Sequence, residues 1–270
     1  MQSYINEIEQ SIYKTLKTFE ENNFKKPHIA IINTNLSDEP SQRYIRNKRK
    51  KCESHGISTE VHEPKNWSEL RNTLKELNNS EKVTGIIIQY PFADWVQTLD
   101  SQSVFDMVNP KKDIDRLHSC WFYSPMPENL PLTSNVLLQL IQQLYFAKEI
   151  GLKSKILFYG NGITTNRRLF LQMFNSGEFD CRIINSKTPR DSVKELIEWS
   201  EVIVSGIGRR NSLDCEGKIV ICPSIIKNED GSFSSDLVDN KRDKNKVHNI
   251  IGGIGKLTTA MLLLRAYLDA

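Results

Sequence analysis

Residues 28–63, HIAIINTNLSDEPSQRYIRNKRKKCESHGISTEVHE, hold a strand, a helix and a second strand in one run. HIAIIN is short, apolar and β-branched, the signature of a buried strand. Pro40 suits a first helical turn, Asp38 and Glu39 put negative charge at the positive helix end, and Gly56 suits the stop. ISTEVHE alternates, as a second strand does. Upstream, Ile5, Ile8, Ile12, Leu16 and Phe19 recur at helical spacing and predict an amphipathic first helix. Downstream, a helix is expected from Ser68 to about Leu77, then VTGIIIQ, residues 83–89, as a buried strand stopped by Pro91. Strand, helix, strand, helix, strand predicts a parallel sheet covered by helices, with ligands beyond the carboxyl ends of the strands.

Several polar groups fall at that edge. Tyr44 and Lys48 stand four residues apart, so they share one helix face. Arg43, Arg46, Arg49, Lys50 and Lys51 surround them. Either the whole segment is a solvated basic face, or it presents a Tyr–Lys pair to a cleft, where a lysine carries protons and a phenol orients it. Gln89 ends its strand, as a loop-bonding amide or a ligand contact. Asp113 and Asp115 lie in the polar loop NPKKDIDR, as an exposed turn or as a holder of a basic ligand group.

Bulk properties narrow the class. A chain of 270 residues favours two domains, and 39% hydrophobic with 26% charged residues is ordinary for a globular protein. A net charge of +3 gives no global attraction to nucleic acid or membrane. One basic segment without interleaved aromatics makes an oligonucleotide binder a distant reading. Cys52, Cys120, Cys181, Cys215 and Cys222 are an odd number without CxxC pairs, which argues for reduced thiols and against a zinc site. No apolar run reaches the roughly 20 residues of a membrane helix, and the acidic N-terminal segment is no signal peptide. A soluble cytoplasmic protein is expected.

Pro125, Pro127 and Pro131 punctuate a connector, after which Thr133 or Ser134 is expected to cap an apolar helix. KILFYGNGITTNRRLFLQMF, residues 155–174, reads as strand, glycine-bearing turn and helix, the setting a dinucleotide fingerprint requires. Further strands are expected at 181–184, 201–207 and 218–221, a surface loop at 239–249, and a glycine turn leading into an apolar helix at the end. The fold class is α/β: two domains, each a parallel sheet covered by helices, the second Rossmann-like.

Together these pieces resemble the methylenetetrahydrofolate dehydrogenase/cyclohydrolase family. Its SxxYxxxK helix looks like Ser41, Tyr44 and Lys48, followed by Lys50, Cys52, Gly56 and Ile57. Its GIxVQxPLP strand end is similar to GIIIQYPF, with Gln89 and Pro91 kept. Its PxKDVDG loop is similar to Pro110, Lys112, Asp113, Ile114 and Asp115, and its PGGVGPMT turn to Gly252, Gly253, Ile254, Gly255, Leu257 and Thr258.

The resemblance implies a pterin in a cleft between two domains, oxidation of a methylene bridge to a methenyl cation by a nicotinamide, and hydrolysis to formyltetrahydrofolate. It implies that Lys48 handles protons, Tyr44 contacts the folate and steadies Lys48, Gln89 orients Lys48, and Asp115 anchors the pterin nitrogens. Gly253 and Leu257 join the substrate side. Gly160, Asn161, Gly162, Ser186, Lys187 and Gly208 are implied on the cofactor side. Asn185-Ser186-Lys187-Thr188 is similar to the family's HSKT segment, which favours NADP, with NAD as the alternative. A homodimer through the Rossmann-like domain is also implied. The implied domains are a folate-binding one at 1–132, completed by the helix at 257–270, and a Rossmann-like one at 133–256.

The departures cluster on the nucleotide side. The last glycine of the cofactor turn is Asn166 and its proline Arg168, a DVG turn is Cys222-Pro223-Ser224, Ile251 and Lys256 replace prolines, and Arg116 replaces the glycine after Asp115. A paralogue that keeps hydrolysis with weakened redox chemistry is therefore the runner-up. A folate or nucleotide sensor is a third reading, against which the retention of Tyr44, Lys48, Gln89 and Asp115 speaks.

Overall fold

The computed structural model describes residues 2–22, 25–98, 100–209, 212–223, 226–227, 233–238, 245–248 and 253–270. Ser224, Ile251 and Gly252 lie outside them. In chain order the elements are α1 (Gln2–Glu21), β1 (His28–Ile32), α2 (Glu39–Ser54), β2 (Ser58–His62), α3 (Trp67–Asn79), β3 (Gly85–Ile88), α4 (Ser101–Phe105), α5 (Leu132–Phe146), β4 (Lys155–Tyr159), α6 (Asn166–Ser176), β5 (Asp180–Ile184), α7 (Arg190–Trp199), β6 (Val202–Ser205), β7 (Ile219–Ile221), β8 (Ile226–Lys227), β9 (Phe233–Ser234), β10 (Lys246–His248) and α8 (Gly253–Leu268). Two compact units result. One comprises Met1–Ile8 and Pro125–Thr258, the other Glu9–Ser124 and Thr259–Ala270.

The unit holding Glu9–Ser124 is built on a three-stranded parallel sheet ordered β2-β1-β3. All five residues of β1 and all four of β3 are buried; the runs Ile29–Ile32 and Ile86–Ile88 are unbroken apolar, and His28 is buried with its ring bonded to Ser58. Leu70, Leu74 and Leu77 make the buried stripe of α3, each worth about 2 kcal/mol relative to exposure. Asp38 caps α2 by accepting from the Ser41 amide at 3.0 Å, with Pro40 in the first turn.

The other unit carries a five-stranded parallel sheet ordered β10-β7-β6-β4-β5, plus the β8–β9 pair. Two expectations fail here. The run 239–249 is not wholly a surface loop: Lys246–His248 forms β10, with Val247 in register with Val220. Its polar composition is that of a sheet edge. Thr133 and Ser134 do not cap α5, whose N-cap is Pro131. Ser134 lies inside the first turn with its hydroxyl donating to the Thr165 carbonyl, and Asn135 Nδ2 donates to the Pro127 carbonyl at 2.7 Å. The connector is thereby tied to α5, and the divisions between the two units fall at 8/9, 124/125 and 258/259.

Candidate functional site

On α2 the buried residues are Ser41, Ile45, Lys48 and Cys52, one stripe at helical spacing. Arg43, Arg46, Arg49, Lys50 and Lys51 are exposed. The segment is thus a solvated basic face on one side and a buried lysine on the other. Lys48 is 5% exposed. Its Nζ donates to Gln89 Oε1 at 3.4 Å and lies 4.5 Å from the centre of the Tyr44 ring. A buried ammonium needs such partners, and no carboxylate pairs with it by direct contact among the described residues.

Gln89 follows β3 with its amide donating to the Ile32 carbonyl at 2.8 Å. Its side-chain NH2 donates to the Tyr90 carbonyl at 2.7 Å, which turns Oε1 toward Lys48. The Tyr90–Pro91 peptide is cis. Burial raises the Tyr44 phenol above its ordinary pKa. Lys48 opposes that, Asp115 adds to it, and a hydrogen bond with the Thr259 side chain lowers it. Tyr44 therefore remains a neutral phenol at physiological pH. The Cys52 thiol, one turn beyond Lys48, is pushed up to about 12 by burial and is inert.

The loop carrying Asp113 and Asp115 is fastened to the sheet. Asp113 bridges Ile86 in parallel, and Lys112 Nζ donates to the Leu77 and Ser80 carbonyls at 2.9 and 2.6 Å, closing the carboxyl end of α3. Gly85 makes room for this. A Cβ there would stand 1.9 Å from Cδ1 of Ile114, the residue between the two aspartates. The two carboxylates differ. Asp113 is buried and accepts from the His118 amide at 2.8 Å, while Asp115 is half-buried. Burial pushes Asp113 up to about 6, Asp115 adding and the His118 amide, Arg116 and Arg265 opposing. Tyr44, Lys48, Gln89 and Asp115 thus assemble at the carboxyl end of one sheet. Gly253 and Leu257 are buried in the first turns of α8, in the stretch that belongs to the other unit.

In that other unit a cavity of about 1190 Å³ opens beyond β4, β5 and β6. Gly160 and Asn161 line it after β4, Ser186 and Lys187 after β5, and Gly206 and Arg209 after β6. Gly162 and Gly208 sit in the same turns outside its wall. Lys187, Arg190, Lys194 and Arg209 give it positive charge against Asp214, a set that fits a phosphate-bearing ligand. Gly160 has φ +101 and approaches the Gly206 backbone, where an added Cβ would stand 3.1 Å away.

The glycine turn itself departs from a phosphate cradle. Asn166 is fully buried, and its Nδ2 donates to the Tyr159, Gly160 and Val204 carbonyls at 3.3, 3.1 and 3.0 Å. The Thr165 and Arg167 amides both donate to the Gly162 carbonyl, at 3.2 and 3.1 Å. Those two donors at the start of α6 are engaged internally, whereas a phosphate-binding helix start leaves its amides open. Sequence reasoning missed Asp236. It is buried and accepts from Ser205 Oγ at 2.7 Å and from the Ile207 and Arg209 amides at 3.2 and 3.0 Å, so it shapes the loop after β6. An aspartate after two serines carries no signal that separates this role from a surface turn. Among the described residues no group of histidine, cysteine and acidic side chains could hold a metal ion.

Comparison with known proteins points one way. Residues 2–115 match the family model for the tetrahydrofolate dehydrogenase/cyclohydrolase catalytic domain. The chain is 29% identical over 287 aligned positions to the bifunctional protein FolD of Aquifex aeolicus, covering 95% of this chain and 89% of that protein. The crystal structure of the FolD dehydrogenase/cyclohydrolase of Campylobacter jejuni superposes with a TM-score of 0.81 at 22% identity, covering 99% of this chain and 95% of that one. The Trypanosoma brucei FolD, solved with NADP and an inhibitor, gives 0.79 at 20% identity, over 99% and 94% of the two chains.

Proposed function

We infer that this chain, a divergent member of the tetrahydrofolate dehydrogenase/cyclohydrolase family, interconverts methylene-, methenyl- and formyltetrahydrofolate. The observation that carries the reading is the burial of Lys48 against Gln89 and the Tyr44 ring, beside a half-buried Asp115. In hydrolysis, water attacks the amidinium carbon of the methenyl cation. As the neutral amine, Lys48 accepts a proton from the attacking water and becomes an ammonium, which then returns a proton to the ring nitrogen as its bond to that carbon breaks. The net change is addition of water and release of one proton. Tyr44 covers the ammonium with its ring and holds a phenol proton for hydrogen bonding. Gln89 accepts from the ammonium without fixing its charge. Asp115 accepts paired hydrogen bonds from the aminopyrimidine edge. Absorbance monitoring of methenyl formation and decay tests this reading, and a folded protein inert to both steps would overturn it.

NADP is the proposed dinucleotide, held by Gly160, Asn161, Gly162, Ser186, Lys187 and Gly208. When bound it would supply the hydride acceptor for methylene oxidation. The basic cavity supports it, as does the NADP in the Trypanosoma brucei relative. A second reading keeps hydrolysis and weakens oxidation. The side chain of Asn166 and the amides engaged by the Gly162 carbonyl favour it. Calorimetric titration with NADP and NAD, beside both activities, separates the two. Micromolar NADP affinity with brisk oxidation supports the bifunctional reading, and hydrolysis without oxidation supports the second. A cytoplasmic homodimer is part of the proposal. Exposed Tyr145, Phe146, Leu152 and Phe174 in the dinucleotide unit support the dimer, which sedimentation tests.

A further inference from the structure

Arg116 occupies a position that its sequence neighbours would give to glycine. Its φ is +55, in the left-handed region, which costs a non-glycine residue about 1 kcal/mol. Its side chain is nevertheless only 11% exposed, and both arms of the guanidinium are used. Nη1 donates to the Asp113 carbonyl at 2.6 Å, and Nη2 donates to Asp269 Oδ1 at 2.7 Å. The Asp113 carbonyl also accepts from the Arg116 amide, which closes the turn 113–116. The guanidinium lies 4.7 Å from the Trp121 ring centre. One residue on from Asp113, the Ile114 carbonyl accepts from Arg265 Nη1 at 2.9 Å, and Arg265 is 4% exposed. The carbonyls of both residues preceding Asp115 are therefore held by guanidinium groups. One of these belongs to α8, and the other is ion-paired to the residue that follows it.

We propose that Arg116 and Asp269 form a clamp that sets the Asp115 carboxylate for the folate ring, making Arg116 a positioning residue that governs folate affinity. The proposal rests on the folate reading of this unit. The turn is fastened to the sheet through Asp113 and Ile114, ahead of Asp115, and on the far side of Asp115 a planar two-armed donor fixes direction as a lysine would not. A merely space-filling arginine would instead leave affinity untouched and could be exchanged for the conformationally easier glycine.

The experiment uses the full chain and four variants: Arg116→Gln, Arg116→Gly, Asp269→Asn and Arg116→Gln/Asp269→Asn. Thermal unfolding, methenyltetrahydrofolate hydrolysis and calorimetric binding of 5-formyltetrahydrofolate are measured for each. Expected is a rise of about tenfold in KM and Kd for each single variant, with kcat within about twofold, as for loss of one charged hydrogen bond. The double variant is expected to be no worse than either single, because both remove the same contact. Wild-type affinity in Arg116→Gln and Arg116→Gly overturns the clamp, as does a double variant whose effect is the product of the singles. A fall in melting temperature with unchanged KM would also overturn it, assigning the pair to stability alone. If the wild-type chain itself neither binds nor hydrolyses folate, the folate reading fails and the clamp with it.

Discussion

Lys48 is buried with an amide oxygen and a ring face as its close partners. Replacing it with methionine keeps bulk and helix propensity while removing the charge and donors. Hydrolysis of methenyltetrahydrofolate is expected to fall by ~100-fold or more, with circular dichroism and melting temperature unchanged. Asp113 makes a different prediction. The folded chain holds its proton up to about pH 6, whereas an unfolded aspartate releases it near ~3.9. Between those values the fold binds the extra proton, so this group's contribution to stability grows as pH falls from 6 to 4 and is lost as pH rises through 6. Asp113→Asn, which keeps an oxygen for the His118 amide, is expected to flatten that part of the pH dependence of the melting temperature. An unchanged slope would assign the titration elsewhere. The Tyr44–Lys48 spacing was legible because a helix has one period. The contrast between Asp113 and Asp115 was not, since two carboxylates with a one-residue gap look alike until one is buried.

Gly85, Ile114 and the bridge from Asp113 to Ile86 make β3 and its neighbouring loop one packed element. A methyl at Gly85 has nowhere to go unless Ile114 moves, and Ile114 is fully buried. Gly85→Ala is expected to cost about 1–3 kcal/mol in denaturant unfolding and to weaken folate binding by displacing Asp115. Adding Ile114→Ala should return part of the stability, a non-additivity that a double-mutant cycle reads directly. Equal and additive losses would show that the two side chains do not compete for the space. Strands and helices of the first sheet follow from period and β-branched runs alone. The edge strand Lys246–His248 does not, because a polar, charged run at a sheet margin is compositionally a loop. Nor was the start of α5 legible: a hydroxyl in a first turn can cap or can bond elsewhere, and Ser134 bonds to Thr165.

At the scale of the molecule the two units carry different chemistry, one a buried lysine beside aspartates and the other a basic cavity. Hydrogen exchange read peptide by peptide should separate them. 5-Formyltetrahydrofolate is expected to slow exchange in α2, the end of β3 and residues 110–117. NADP should slow it in 160–162, 185–188 and 206–209, with stabilisation of about 2.7 kcal/mol at a hundredfold excess over Kd. Protection by NADP confined to the folate segments would contradict the division of labour. That a chain of this length divides in two was evident from size and from a second strand–turn–helix start. The unit built on Glu9–Ser124 includes Thr259–Ala270. Asp236, in contrast, acts through three loop amides that only the folded backbone gathers.

That unit is discontinuous, and this bears on how it is made. Between Ser124 and Thr259 lie 134 residues (125 through 258), all assigned to the other unit. On a ribosome adding ~5–20 residues per second, the earlier part waits roughly 7–27 s for its closing helix. Over that interval the Ile114 carbonyl lacks Arg265 and the His55 carbonyl lacks the Tyr267 hydroxyl. The carbonyl ahead of Asp115 and the turn that ends α2 are thus fastened last, after every residue of the intervening unit has been made.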